Sequence, residues 1–312
     1  MNLLRLTPET APLAAPAVAT IGFFDGVHLG HRHLIKSVVD SAKEMGLQSA
    51  VVTFDRHPRQ VVQTDYVPQL LTTLDEKLQL LCDTGVDLAV VLPFDRQMAS
   101  LSAHDFMRDV LKKQLCVERL VIGYDNRFGH GRTDGFPEYV DYGRELGIEV
   151  VGHEAYLPDG LRVSSSAVRR ALADGNVKEA CQMLGRAYQI SGKIVAGFQE
   201  GRKMGFPTAN LSLKGNTCLL PKNGVYAVGV AIDGESTAHM GMTNIGLRPT
   251  FGGQQLTCET HLLDFQGDLY GHTLCLSFFE RIRGERLFDG ERALAQQLSM
   301  DEQAVRQLFS TR

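Results

Sequence analysis

Five short runs in the first part of the chain read as buried strands: Ala17 to Phe23, Gln48 to Phe54, Asp87 to Phe94, Leu120 to Tyr124 and Ile148 to Glu154. A strand that is apolar on both faces has to be covered on both faces, which a sheet held between two layers of helices achieves. The stretches between the runs, His31 to Met45, Leu74 to Asp83, Ala103 to Leu115 and Phe136 to Leu146, carry helical spacing. This alternation predicts an α/β fold: a parallel sheet with crossover helices, its ligand lying beyond the carboxyl ends of the strands. Gly46, Gly85 and Gly147 stand where helices are expected to stop.

Around Leu184 to Tyr188 the pattern changes. Runs of β character follow at Gln189 to Val195, Val225 to Ile232, His239 to Ile245, Glu259 to Leu263 and Leu274 to Arg281, separated by glycines and turn residues. They predict a small antiparallel β-barrel. The tail from Asp289 to Phe309 places Leu294, Leu298, Val305 and Leu308 at near-helical spacing, which predicts a closing C-terminal helix. Two domains are expected, 1–185 and 186–312.

A chain of 312 residues with 44% apolar and 22% charged residues has enough apolar surface for two cores, which excludes wholesale disorder. Its net charge of -4 gives no broad electrostatic footprint for nucleic acid. The six cysteines form no C-x-x-C pair, so a zinc ribbon or thioredoxin-type site is unsupported, and scattered thiols are those of a reducing compartment. Pro8, Pro12 and Pro16 interrupt the apolar start of the chain, and no run approaches a membrane span. The expected setting is cytoplasmic, with neither membrane nor nucleic acid as partner. Nothing in the residue pattern specifies an oligomeric state.

The first strand leads into Gly22-Phe23-Phe24-Asp25-Gly26-Val27-His28-Leu29-Gly30-His31. A strand, a glycine-bearing turn and a helix N-terminus make a phosphate-binding arrangement. His28 and His31, three apart, share a face of the first helical turn and are placed to donate to a phosphate whose charge grows in a transition state. Surface histidines at a helix cap are the plainer explanation of either alone; two in one glycine frame favour function. Near the end of the same domain comes Arg162-Val163-Ser164-Ser165-Ser166-Ala167-Val168-Arg169. Serines here can cap a helix, but hydroxyls and backbone N–H groups with an arginine one turn on also suit a polyphosphate. In the second half, Thr208 and Asn210 of Pro207-Thr208-Ala209-Asn210 face one side of an extended segment, two hard oxygen donors of the kind Mg²⁺ accepts beside ATP phosphates.

With the pair H-x-G-H and S-S-S-x-x-R, the sequence resembles nucleotidyltransferases on a Rossmann-like fold. Thr53 to Pro58 and Gly123 to Gly129 make it similar to the adenylyltransferase half of the bacterial bifunctional riboflavin kinase/FAD synthetase family. The second half resembles riboflavin kinase through Gly192 to Val195, Gly201-Arg202-Lys203, Gly205 to Leu211, Gly224 to Tyr226, Asn244 to Phe251, Glu259 to Phe265 and Asp268 to Gly271. The resemblance implies two reactions that use ATP as co-substrate and Mg²⁺ as cofactor. Riboflavin becomes FMN in the second domain, and FMN attacks the α-phosphorus of ATP in the first, giving FAD and pyrophosphate. It implies that His28 and His31 stabilise the transition state, that Ser164, Ser165 and Arg169 hold the pyrophosphate, and that Gly22, Phe23 and Asp25 lie along ATP. It further implies that Glu259 is the general base of the kinase, that Thr208 and Asn210 hold metal and phosphates, and that Gly192, Gly201 and Lys203 border the nucleotide. The sequence departs from the family pattern at Asn126, Asp134 and Ala196. Phe54, His57 and Pro58 are either flavin-facing or a strand-ending turn. Set against these are an adenylyltransferase for another phosphate acceptor, a flavin-binding regulator without catalysis and a nucleic-acid-binding barrel. The kinase-like half, the presence of His28, His31 and Glu259, and the lack of a basic, aromatic-interleaved stretch weigh against them in turn.

Overall fold

The computed structural model describes the chain except residues 8, 64, 161, 197–203, 236–237, 251–252 and 312, and except the side chains of 159, 248–250 and 253–255. The chain divides into two compact units, Met1–Ser165 and Ser166–Arg312.

The first unit is built on β1 (Asn2–Arg5), β2 (Ala17–Ile21), β3 (Gln48–Phe54), β4 (Leu88–Leu92), β5 (Val117–Gly123) and β6 (Glu149–His153), in the order β1-β4-β3-β2-β5-β6. Every pairing is parallel. The central strands are buried on both sides because alternate residues feed two cores. Ala17, Ala19, Ile21, Ala50 and Val52 enter one; Val18, Val51, Ala89 and Val91 enter the other. The second core is closed by α1 (Leu29–Met45) and α3 (Leu74–Cys82), which follows the short α2 (Pro58–Val62). Past α4 (Arg96–Ser100), the first core is closed by α5 (Ala103–Asp105), the π-helical stretch Phe106–Gln114 that continues it, and α6 (Phe136–Leu146). The expected helix from Ala103 to Leu115 is therefore widened to i→i−5 bonding, ending with Leu115 N–H on the Val110 carbonyl at 3.0 Å. This register puts Phe106, Met107, Val110 and Leu111 into the core. Gly46, Gly85 and Gly147 all adopt left-handed φ, as the helix stops require. β2 lies between β3 and β5, so the loops after β2 and β5 diverge from a topological switch point.

The second unit begins with α7 (Ser165–Asp174), whose first residue closes the first unit, and α8 (Val177–Leu184). Lys222 N–H donates to the Leu172 carbonyl at 2.9 Å, and the Cys181 thiol to the Phe278 carbonyl at 3.4 Å. These bonds tie both helices to the barrel, which is why the compact unit starts before the change in sequence texture. The barrel closes in the order β10-β11-β8-β7-β12-β9, with every pair antiparallel. Its strands are β7 (Tyr188–Val195), β8 (Ala209–Leu211), β9 (Gly224–Ile232), β10 (His239–Thr250), β11 (Gly253–Leu262) and β12 (Thr273–Arg283). The interior holds Tyr188, Tyr226 and Phe278, and a buried hydroxyl pair, Thr243 with Thr260, at 2.8 Å. α9 (Glu291–Ser310) covers part of the outer wall, where Val305 packs with Val225, Ala227 and Met242.

Candidate active sites

In the first unit the chain leaves β2 through a turn in which Phe24 (φ 53°) and Val27 (φ 38°) both take left-handed backbone angles. Such angles cost on the order of 1–3 kcal/mol each in a non-glycine residue. The buried Asp25 carboxylate fixes the turn by accepting the Leu71 N–H at 2.9 and 3.0 Å and the Thr72 N–H at 3.2 Å. The Ser165 hydroxyl donates to the Asp25 carbonyl at 3.0 Å, joining the triple serine to this turn. Asn126, one of the departures, donates its amide to the Ile21 carbonyl at the end of β2 and so bridges the switch point. Gly22 N–H donates to the Val52 carbonyl at 3.0 Å, continuing the β2–β3 ladder into the turn.

His28 caps α1. Its Nδ1 accepts the His31 N–H at 3.2 Å, which leaves the proton of the neutral ring on Nε2. The rings of His28 and His31 stack with centroids 3.6 Å apart and planes 17° from parallel. Gly30 permits this, because a Cβ there would lie 3.2 Å from the His28 ring. Burial, then the neighbouring His28 and then Lys77, hold His31 well below the ordinary imidazole value, so it is uncharged at neutral pH. Its buried Nδ1 finds no hydrogen-bond partner among the described residues. The pair thus offers the Nε2–H of His28 and the buried Nδ1 of His31 at a helix N-terminus, the place for an anion. Ser164 and Ser165 stand at the N-terminus of α7, and Arg169, four residues after Ser165, on the same helix.

The strand-ending turn accounts for Phe54 and Pro58. Phe54 lies in the core, and Pro58 opens α2, which His57 caps by accepting the Arg59 N–H at 3.2 Å. The sequence reading passed over Lys77. This lysine is 3% exposed, and its ammonium donates to the carbonyls of Phe23 and Phe54 and to the Thr53 hydroxyl. The signal was its place on the apolar stripe of α3, three residues after Leu74 and four before Leu81.

In the second unit the register sets Asn244 of β10 and Asn210 of β8 on either side of Glu259 of β11. Three polar side chains therefore form one row on the outer wall. Thr208, two before Asn210, lies on the same side. Thr208, Asn244 and Glu259 line a cavity of about 370 Å³ whose apolar wall includes Phe206, Leu294 and Leu298. His261 steadies the entry to β8, its ring N–H on the Pro207 carbonyl at 2.8 Å and its ring edge-on to Phe206. The far wall is held by Arg283 and Asp301, which join through three contacts of 2.8–3.0 Å. Gly192 packs against β8, where a Cβ would meet Leu211 and the Ser212 carbonyl at 3.1 Å. Gly201 and Lys203 lie outside the described residues.

Among the described residues no group of three or more His, Cys, Asp or Glu is placed to hold a metal ion. The threonine hydroxyl, the asparagine carbonyl and one carboxylate fit Mg²⁺ that arrives with ATP phosphates, not a cation held by protein alone.

The FAD synthetase family model matches residues 11–167, and the riboflavin kinase model residues 184–309. A bifunctional riboflavin kinase/FMN adenylyltransferase of Escherichia coli K12 is 41% identical over 292 residues, 94% of this chain and 92% of that protein. One from Pseudomonas fluorescens is 38% identical, covering 99% of this chain and 98% of its own, and one from Bacillus subtilis is 36% identical, covering 95% and 93%. A crystal structure described as a macrolide-efflux protein from Streptococcus pneumoniae superposes with a TM-score of 0.88 at 30% identity, over 97% of this chain and 98% of that one. Among the described residues no helix is long and apolar enough to cross a membrane.

Proposed function

The chain belongs to the bifunctional riboflavin kinase/FMN adenylyltransferase family, and on that premise we propose how its residues divide the two reactions. The function is the ATP-dependent phosphorylation of riboflavin to FMN, followed by adenylylation of FMN to FAD. The division of labour is 1–185 for the adenylyltransferase and 186–312 for the kinase.

In the kinase, Glu259 takes the proton of the ribityl 5′-hydroxyl as that oxygen attacks the γ-phosphorus and ADP leaves. The observation that carries this reading is Thr208, Asn244 and Glu259 lining a cavity of flavin-compatible size, with Asn210 next to Glu259 in the strand register. Thr208 and Asn210 would hold Mg²⁺ with the ATP phosphates. When bound, the ion supplies positive charge to the transferring phosphoryl group. The apolar wall of Phe206, Leu294 and Leu298 seats the flavin ring and keeps water from it.

In the adenylyltransferase, a phosphate oxygen of FMN attacks the α-phosphorus and pyrophosphate departs. His28 donates from Nε2 to the charge that builds on the transferring group, and His31, kept neutral, stays stacked beneath it. Ser164, Ser165 and Arg169 hold the pyrophosphate at the N-terminus of α7. Gly22 and Phe23 flank ATP, while Asp25 sets the turn that presents them. Gly192, Gly201 and Lys203 remain assigned to the kinase nucleotide. The setting is the cytoplasm, where ATP and Mg²⁺ are at hand and thiols stay reduced.

Chromatography of a mixture with riboflavin, ATP and Mg²⁺ tests the scheme. The parent protein yields FAD. His28→Ala yields FMN that accumulates, with FAD formation down by about 100-fold or more, as for a lost transition-state donor. Normal FAD formation by purified His28→Ala removes the histidine pair from the mechanism.

A further inference from the structure

Lys77 is a buried cation with three neutral acceptors. Its ammonium donates to the Phe23 carbonyl at 3.1 Å, the Thr53 hydroxyl at 3.1 Å and the Phe54 carbonyl at 3.0 Å, which uses all its protons. It also lies 4.2 Å from the centre of the Phe23 ring. Among the described residues no carboxylate stands within ion-pair distance, although the charges of Asp25 and Asp55 act on it from farther off. Burying a lone ammonium is costly, and a structural role in a core is better filled by an apolar side chain. Two of the acceptors lie where the chain leaves β2 and β3, the ends beyond which an α/β sheet binds its ligand. Carbonyl oxygens there present negative charge to whatever arrives, and a triphosphate is repelled by them.

We propose that Lys77 is a positioning residue for adenylyl transfer, holding the carbonyls of Phe23 and Phe54 away from ATP and placing a fixed positive charge behind the turn that carries His28 and His31. The assignment rests on the reading that ATP lies along Gly22 to His31. Lys77 does not touch the reacting atoms, because its donors are already engaged. It acts through Phe23, whose carbonyl also accepts the Thr53 hydroxyl at 3.1 Å, and through the field it exerts on His31. That field is one reason His31 is held uncharged, after burial and His28, and burial has brought Lys77 itself down to about 8.

The test uses the full chain as Lys77→Met and Lys77→Arg, with adenylylation of added FMN, phosphorylation of riboflavin and an NMR titration of the histidines measured on each. Lys77→Met is expected to lower kcat/KM for ATP in adenylylation by about 10- to 100-fold, the scale of a displaced binding segment. His31 should then titrate at higher pH, since a repelling cation is gone. Lys77→Arg restores the low His31 titration and part of the ATP affinity. Phosphorylation is unchanged in both. A folded Lys77→Met with unaltered kcat/KM for ATP and unmoved His31 overturns the proposal, even if it melts earlier. Should Lys77→Met not fold, Thr53→Val decides: it removes the hydroxyl that binds both the Phe23 carbonyl and the Lys77 ammonium, so ATP KM rises, and an unchanged ATP KM overturns the proposal. His28→Ala alongside separates the two levels. Normal adenylylation by His28→Ala sinks the reading of the site, whereas a His28→Ala loss with an unaffected Lys77→Met sinks Lys77 alone.

Discussion

Replacing Asp301 by alanine should loosen the kinase cavity from behind. Asp301 and Arg283 have side chains only 1% and 10% exposed, and their contact carries Arg283 Nε to both carboxylate oxygens at 3.0 and 2.9 Å. Gln297 donates to the same carboxylate at 2.9 Å and accepts from Arg286 at 3.1 Å, so one acid gathers α9 onto the end of β12. Alanine leaves a buried guanidinium uncompensated, at a cost of about 3–5 kcal/mol. At about 2–4 °C per kcal/mol for a unit of this size, its melting temperature should fall by roughly 6–20 °C. Arg283 and Leu294 line the cavity, so riboflavin KM should rise more than kcat falls, while added FMN is adenylylated normally. Calorimetry on the full chain with steady-state kinetics of both reactions reads these effects. The double variant Arg283→Met/Asp301→Leu removes both charges and should recover most of the lost stability. A single variant that melts within about 1 °C of the parent, or a double variant no better than the single one, would refute the argument that the pair is held by mutual compensation.

Two further outcomes are expected. Glu259→Gln keeps the shape of the row but cannot accept a proton, so kcat for riboflavin phosphorylation should fall by roughly 100- to 10,000-fold with little change in KM or melting temperature. A variant that melts early yet phosphorylates almost normally would make Glu259 a structural partner. A fragment 186–312 should fold and phosphorylate riboflavin, and 166–312 should melt higher by roughly 5 °C or more, because α8 buries Val177, Ala180, Met183 and Leu184. If both fragments are folded and inactive, the division of labour is wrong.

Four of the expected strands and the four principal helical segments of the first unit were legible because each is an apolar run or a helical stripe, whereas β6, expected to be buried, lies at the sheet edge with Glu149 and Gly152 exposed. β1 was not. Its four residues are mostly exposed and gain strand form only by pairing with β4 at the sheet edge. β8 was read as an extended segment holding Thr208 and Asn210, but three residues do not announce a barrel strand. Its identity comes from pairing with β7 and β11, far away in the chain. The H-x-G-H frame was legible because its chemistry is local. Lys77 and Asp301 belong to no motif and were not singled out, yet both occupy the apolar stripe of their helices. Asp301 falls three residues after Leu298 and four before Val305. A charge in that slot is a sequence-level sign of a buried partner, and it names the position without naming the partner.

The ladder between β10 and β11 runs unbroken from Gly241 opposite Leu262 to Thr250 opposite Gly253. Thr243 and Thr260 pin it from inside the barrel, one step from Asn244 and Glu259 on the outside. A deletion or insertion of a single residue in either strand would turn every side chain beyond it to the opposite face; in β11 ahead of Glu259 it would carry Glu259 toward the interior and a threonine to the cavity. Chain length in these two strands is therefore fixed by parity. Relatives that differ in length should have gained or lost residues outside these strands, and a loop graft joined within them has to preserve the count modulo two.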